Sequence, residues 1–166
     1  MVDYEDSRSN LGSKQLSDRP CADFSAKDGF QRLDCSVPTV FFEIERTPDG
    51  NDRFIFLGNG CRELFGVTPE EALRDVRSVR DLLVPEDRER LLAAMARSAA
   101  ALQRFDFEYR IVDPQGQKKF LHEISDPVRT EDGGTVWSGV ITDITTRRET
   151  DAQLRAVNAA LESEIR

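Results

Sequence analysis

Two kinds of hydrophobic spacing take turns along the chain. Val40, Phe42 and Ile44 recur at every second position against Phe41, Glu43 and Glu45, the period of a half-buried strand. Pro48-Asp49-Gly50-Asn51 is a turn, and Phe54-Ile55-Phe56-Leu57 returns as a second strand of the same hairpin. The spacing then becomes helical. A short helix is expected from an Asn59 cap through Leu64 and Phe65, ended by Gly66, which has no Cβ to oppose a left-handed exit. Thr68-Pro69-Glu70-Glu71 starts another, combining a capping hydroxyl, proline at the first helical position and a glutamate three residues after the cap. Pro85-Glu86-Asp87 opens a longer helix with Leu91, Leu92, Met95, Ala99 and Leu102 as one apolar stripe.

Period two then resumes. Phe105, Phe107, Tyr109 and Ile111 alternate with charged residues, Asp113-Pro114-Gln115-Gly116 turns, and Lys118 to Ser125 runs back. After the turn Glu131-Asp132-Gly133-Gly134, the stretch from Thr135 to Ile144 carries Val136, Ser138, Val140, Thr142 and Ile144 on one face and Trp137, Gly139, Ile141 and Asp143 on the other. Trp137 is expected on the sheet face away from the helices, against a partner or an N-terminal helix. Thr146 and Glu149 form a second capping box that launches a helix to Arg166 about 30 Å long, with Leu154, Val157 and Leu161 at a/d-like spacing. Upstream, residues 1–22 lack apolar periodicity and read as a mobile tail, and Phe24, Phe30 and Leu33 predict a flanking helix over 23–36. The fold class is therefore α+β: a five-stranded antiparallel sheet with short helices and one longer helix on one face, flanked by a helix at each end. Residues 37–146 form the domain, and 147–166 form an exit helix resembling a coiled-coil linker.

Composition narrows the functions such a domain can have. At 166 residues the chain is one domain with extensions, and 39% apolar residues with ten glycines stand at the lower edge of the globular range. Twenty-three basic against thirty-one acidic residues give a net charge of -8, which repels phosphate backbones, so no nucleic-acid partner is expected. No run of about eighteen apolar residues exists, so no direct membrane insertion is expected and the location is read as cytoplasmic. Cys21, Cys35 and Cys61 contain no Cys-x-x-Cys pair, and the single histidine, His122, cannot build a multi-histidine metal site. No catalytic or metal-binding residue is assigned, and the segment is not expected to be an enzyme.

Four pieces carry a resemblance: Gly58-Asn59-Gly60-Cys61-Arg62-Glu63-Leu64-Phe65-Gly66-Val67-Thr68-Pro69-Glu70-Glu71, Val84-Pro85-Glu86-Asp87-Arg88, Phe107-Glu108-Tyr109-Arg110-Ile111, and Gly139-Val140-Ile141-Thr142-Asp143-Ile144-Thr145-Thr146-Arg147-Arg148. In order and spacing they closely resemble a PAS sensory domain with its C-terminal PAC portion, over about 37 to 148. The resemblance implies a signal-sensing module, commonly homodimeric, that passes a ligand or redox state through its C-terminal helix to an output. That output is a C-terminal effector domain or partner kinase, with a histidine kinase first and a cyclic-dinucleotide enzyme second. It also implies that Asp143 and Thr145, matching the family's Asp-x-Thr, couple the last strand to the exit helix; simple capping of that helix is the equally simple alternative. Pocket candidates for a small-molecule ligand are Phe42, Phe56, Leu82, Leu92, Met95, Phe107 and Tyr109, which could equally be plain core.

Three sharper readings lose to their context. Cys61-Arg62-Glu63-Leu64-Phe65-Gly66 resembles the light-oxygen-voltage flavin signature, but in the family's register that signature falls on Val76-Arg77-Ser78, which has no cysteine. His122-Glu123-Ile124-Ser125-Asp126-Pro127-Val128 resembles a histidine-kinase phosphoacceptor box, yet it alternates as a strand and follows a turn. The histidine of haem-binding relatives has no counterpart between Gly66 and Leu102, leaving His122 as the one candidate ligand. The cofactor is accordingly unknown. The alternatives kept open are a haem- or flavin-bound redox or gas sensor and a purely structural PAS dimeriser.

Overall fold

A computed structural model describes residues 39–164. The expected N-terminal tail and the flanking helix over 23–36 lie outside the described residues, as do Cys21 and Cys35. The described chain runs β1 (Thr39–Arg46), β2 (Asp52–Leu57), α1 (Cys61–Phe65), α2 (Pro69–Arg74), α3 (Arg77–Arg80), α4 (Pro85–Ala101), β3 (Phe105–Val112), β4 (Lys118–Arg129), β5 (Thr135–Asp143) and α5 (Thr145–Glu164). The strands form one antiparallel sheet in the order β2-β1-β5-β4-β3, so the first and last strands in sequence lie side by side at its centre. The α+β class and the five-strand count expected from the periodicities both hold.

Local chemistry sets several element ends. Thr68 Oγ1 accepts the Glu71 N–H while the Glu71 carboxylate accepts the Thr68 N–H, the expected capping box. Gly66 closes α1 at φ 71°, and a Cβ there would stand 2.9 Å from the Pro114 ring. Thr146 behaves otherwise than expected. It lies inside α5 and its carbonyl accepts the Thr150 hydroxyl, while the helix start is held by Asp143, whose Oδ1 accepts the Thr145 N–H at 2.8 Å. The short helix α3 has no signal in the apolar spacing and was not expected.

The core lies between the sheet and the α1–α4 layer. Val40, Phe42 and Ile44 of β1, Tyr109 and Ile111 of β3, Leu121 of β4 and Trp137 and Ile141 of β5 face Leu91 and Met95 of α4. Burying each such side chain contributes roughly 1.5–3 kcal/mol. Trp137 is therefore on the helix-covered face, contrary to expectation. It is 1% exposed, and its Nε1–H donates to Ser98 Oγ on α4 at 3.0 Å, so the partner that satisfies its indole is a helix of its own domain. Gly139 lies beside it because β4 crosses too closely for a side chain: an added Cβ would meet Ile124 O at 2.1 Å. In contrast, Leu154, Val157 and Leu161 on α5 are all more than half exposed.

Candidate functional site

The space beneath the α3 side of the helical layer is a cavity of about 40 Å³, room for a few water molecules. Of the seven residues expected to line it, Phe42, Met95 and Tyr109 do so. The other four are displaced, each for a local reason. A bulge between Glu43 and Ile44 pairs Phe54 with Ile44 and Phe56 with Glu43, so Phe54 faces the cavity and Phe56 the far side of the sheet. Leu83 and Leu91 line the cavity where Leu82 and Leu92 were expected: the inward stripe of α4 runs Asp87, Leu91, Met95, Ser98, and Leu83, before that helix, bridges Ile111. Leu82 is half-buried at the core margin, and its carbonyl accepts the Val112 N–H on the edge of β3. Phe107 is also half-buried at the margin, its ring under the Arg90 guanidinium at 5.4 Å, and it lines an outer groove of about 490 Å³.

Two charged residues, neither among the pocket candidates, stand in the cavity wall. Glu123 of β4 is buried and its Oε2 accepts the Tyr109 hydroxyl at 3.1 Å. Burial pushes its carboxyl up to about 7, against the opposing pull of the Tyr109 hydrogen bond and the Arg80 charge. The Tyr109 hydroxyl is pushed up well beyond its ordinary value, first by burial and then by the Glu123 charge. Arg80 of α3 is held by Asp52 Oδ2 at 2.5 Å and reaches Met95 Sδ at 3.7 Å; burial lowers its pKa against the raising effect of Asp52. Asp52 also takes two bonds from Arg46, Nε to Oδ1 at 2.8 Å and Nη2 to Oδ2 at 3.0 Å. The Arg46 guanidinium in turn lies 5.7 Å from the Trp137 ring. The only sequence trace of Glu123 is its parity: with Leu121 and Ser125 it shares the face opposite His122, and that face is the inner one.

A second cluster marks the junction of β5 and α5. Thr145 Oγ1 donates to Asp143 Oδ1 at 2.5 Å and accepts the Phe120 N–H from β4 at 2.9 Å, and the Ile144 N–H returns to the Phe120 carbonyl at 2.9 Å. Asp143 and Thr145 are therefore brought together as expected, with Phe120 as the third member that sequence reasoning missed. Arg148 pairs with Glu108 of β3 and ties the first turn of α5 to the sheet edge. Phe120 and Glu123 are three residues apart on one strand, about 10 Å. His122 points to the outer face and its Nε2 pairs with Asp106 at 2.7 Å, so it faces no interior ligand. Cys61 is buried in α1, with its Sγ–H directed to the Val67 carbonyl at 3.3 Å.

A flavin or haem does not fit this interior. Pockets for molecules of that size occupy roughly 300–1,000 Å³, whereas the cavity is about 40 Å³, walled by aromatic and aliphatic side chains with Arg80 and Glu123 among them. Among the described residues no helix is long and apolar enough to cross a membrane.

Comparison with known proteins agrees with this geometry. The N-terminal domain of a diguanylate cyclase with PAS/PAC sensor from Marinobacter aquaeolei superposes with a TM-score of 0.55 at 17% identity, over 66% of this chain and 98% of that one. A sensory box histidine kinase/response regulator from Burkholderia thailandensis gives 0.58 at 19% identity, over 81% and 98%. The PAS domain of a protein from Colwellia psychrerythraea gives 0.55 at 20% identity, over 72% and 94%. At such identities the likeness is one of fold. No curated protein matches the chain. The family described as the PAS fold matches residues 54–141, more than half of the sequence. The chain belongs to the PAS-fold family.

Proposed function

We propose that this PAS domain senses a condition in the interior beneath α3 and relays it through β4 into α5, which drives an output unit, a histidine kinase in the first instance. The observation that carries the reading is the pair of hydrogen bonds between the Phe120 backbone and the start of α5. Phe120 N–H and C=O hold Thr145 Oγ1 and Ile144 N–H, so any shift of β4 displaces the helix origin directly. Asp143 fixes the Thr145 hydroxyl for that contact, which gives both residues a coupling role beyond capping. The exposed Leu154, Val157 and Leu161 on one face of α5 suit a homodimer formed through this helix in a cytoplasmic protein. The module itself carries no chemistry; its partners are a second copy and the output unit.

The test uses Asp143→Ala and Thr145→Val in the full-length protein. Both variants are expected to keep the native circular dichroism spectrum while output activity no longer follows the state of the sensor. Regulation equal to wild type in both variants overturns the relay. A second reading, a purely structural dimeriser, is favoured by the small size of the cavity. It predicts instead that variants lining the cavity change stability and leave output unaltered.

A further inference from the structure

The charges on the α3 side of the interior balance in pairs. Arg46 and Arg80 share Asp52, and Glu123 is the fourth member, lining the same small cavity as Arg80. With Glu123 ionised the four sum to zero; with Glu123 protonated one arginine charge is left over. Arg46 is poorly placed to leave, being bonded twice to Asp52 and packed on Trp137. Arg80 has one ion pair and one long sulfur contact, and it ends a four-residue helix in which Val79 is the one buried side chain.

We propose that Glu123 is a proton-binding site and the input of this domain: proton uptake frees Arg80 and loosens α3, and proton loss draws Arg80 back. The inference rests on the sensory reading above and names its signal. Glu123 Oε2 already carries the Tyr109 hydroxyl, so the proton adds from solvent to the other carboxylate oxygen. The groups that face Glu123 are Tyr109 from β3 and Arg80 from α3, with Asp52 of β2 and Arg46 of β1 behind Arg80. β5 and α4 present Ile141, Leu91 and Met95 to the cavity and offer no competing charge there. Burial sets the transition at about 7, within the range where small changes of cellular pH shift the balance. The moving part and the relay share β4, since Glu123 lies three residues from Phe120.

The test follows carbon-13-labelled glutamate carboxyls of the full chain by NMR together with the fluorescence of Trp137, the sole tryptophan, across neutral pH. The Glu123 carboxyl is expected to titrate near 7, with the Trp137 signal following the same midpoint through Arg46. Glu123→Gln is expected to leave Trp137 flat. Tyr109→Phe and Arg80→Gln each remove a group that favours the ionised form, and each is expected to move the midpoint upward. Corrected for intrinsic rates, amides 76–83 should exchange roughly tenfold faster at about pH 6 than at about pH 8 in wild type, and equally at both in Glu123→Gln. A Glu123 carboxyl that ionises at ordinary glutamate pH, or a Trp137 transition that persists in Glu123→Gln, overturns the proton site. An α3 segment that responds to pH while α5 exchange stays constant overturns the sensory reading and leaves the proton site standing.

Discussion

The flap around α3 and the junction at the start of α5 are both polar, yet they are built in opposite ways. Beneath the flap, charged side chains from α3, β1 and β2 hold one another across the interior, Glu123 of β4 lines the same cavity bonded to Tyr109, and none has a partner within its own element. At the junction, Asp143 bonds a residue two positions away, and Thr145 and Ile144 clasp a single residue of β4 from both sides. Long-range charge clusters depend on every member remaining ionised and in place. Short, neutral or locally anchored bonds do not. On the reading proposed above, the difference separates a part that responds from a part that transmits, the two joined by β4.

The largest effect is expected from Asp52→Ala, which removes the carboxylate that bonds both Arg46 and Arg80. Removing one partner of a buried pair costs about 3 kcal/mol or more, read as a lowered midpoint in urea unfolding. A loss below about 1 kcal/mol would show that the cluster is solvated and the contrast with the junction false.

Glu123→Gln tests the same cluster from the other sign. In the folded state the carboxyl keeps its proton up to about 7, whereas its ordinary value is 4.5. The folded chain binds the extra proton between those values, so wild-type stability falls as pH rises through the interval and is lowest above 7. Glutamine cannot ionise. At about 1.4 kcal/mol per pH unit the variant is expected to exceed wild type by up to about 3 kcal/mol near pH 8.5 and to match it near pH 4, by thermal or urea unfolding. A constant difference across pH would remove Glu123 as the titrating group.

Thr145→Val strips the Phe120 N–H of its acceptor while keeping side-chain shape, at a cost of about 1–2 kcal/mol, and Asp143→Ala costs about 1 kcal/mol. The Thr145→Val loss should be independent of pH, since neither side chain ionises, unlike the Glu123→Gln difference. The smallest effect belongs to α5: Leu154→Ser with Leu161→Ser should change the stability of the domain by less than about 0.5 kcal/mol, because both side chains are exposed. Sedimentation of that pair should instead show loss of self-association if α5 is the dimer contact.

Much of the fold was legible because strands and helices write their periods into the chain locally. The alternation of Val40, Phe42 and Ile44, the Thr68 and Glu71 capping box and the Gly66 stop all needed only neighbours in sequence. The candidate site was legible in part. Phe42, Met95 and Tyr109 were placed by parity and stripe, but Phe56 was misplaced by a bulge that pairing alone creates. Leu82 and Leu92 are one residue from the positions that face the cavity: a modest rotation of α4 decides between Leu91 and Leu92, and the bridge of Leu83 to Ile111 sets which leucine of the preceding turn is inward. Glu123 was missed because the outward residues of β4, Phe120 and Ile124, are more apolar than its inward ones.

By itself the sequence determined the five strands, the longer helices and the antiparallel class, consequences of short-range sterics and hydrogen bonding, while the Asp143 and Thr145 contact came from the family resemblance. Only the tertiary structure decided that Trp137 turns inward to Ser98, that β1 lies between β2 and β5, and that Glu123 shares an interior with Arg80 and Asp52. Those outcomes depend on which faces meet when distant segments pack, and the ionisation of a buried carboxyl depends on the dielectric and charges that packing assembles around it.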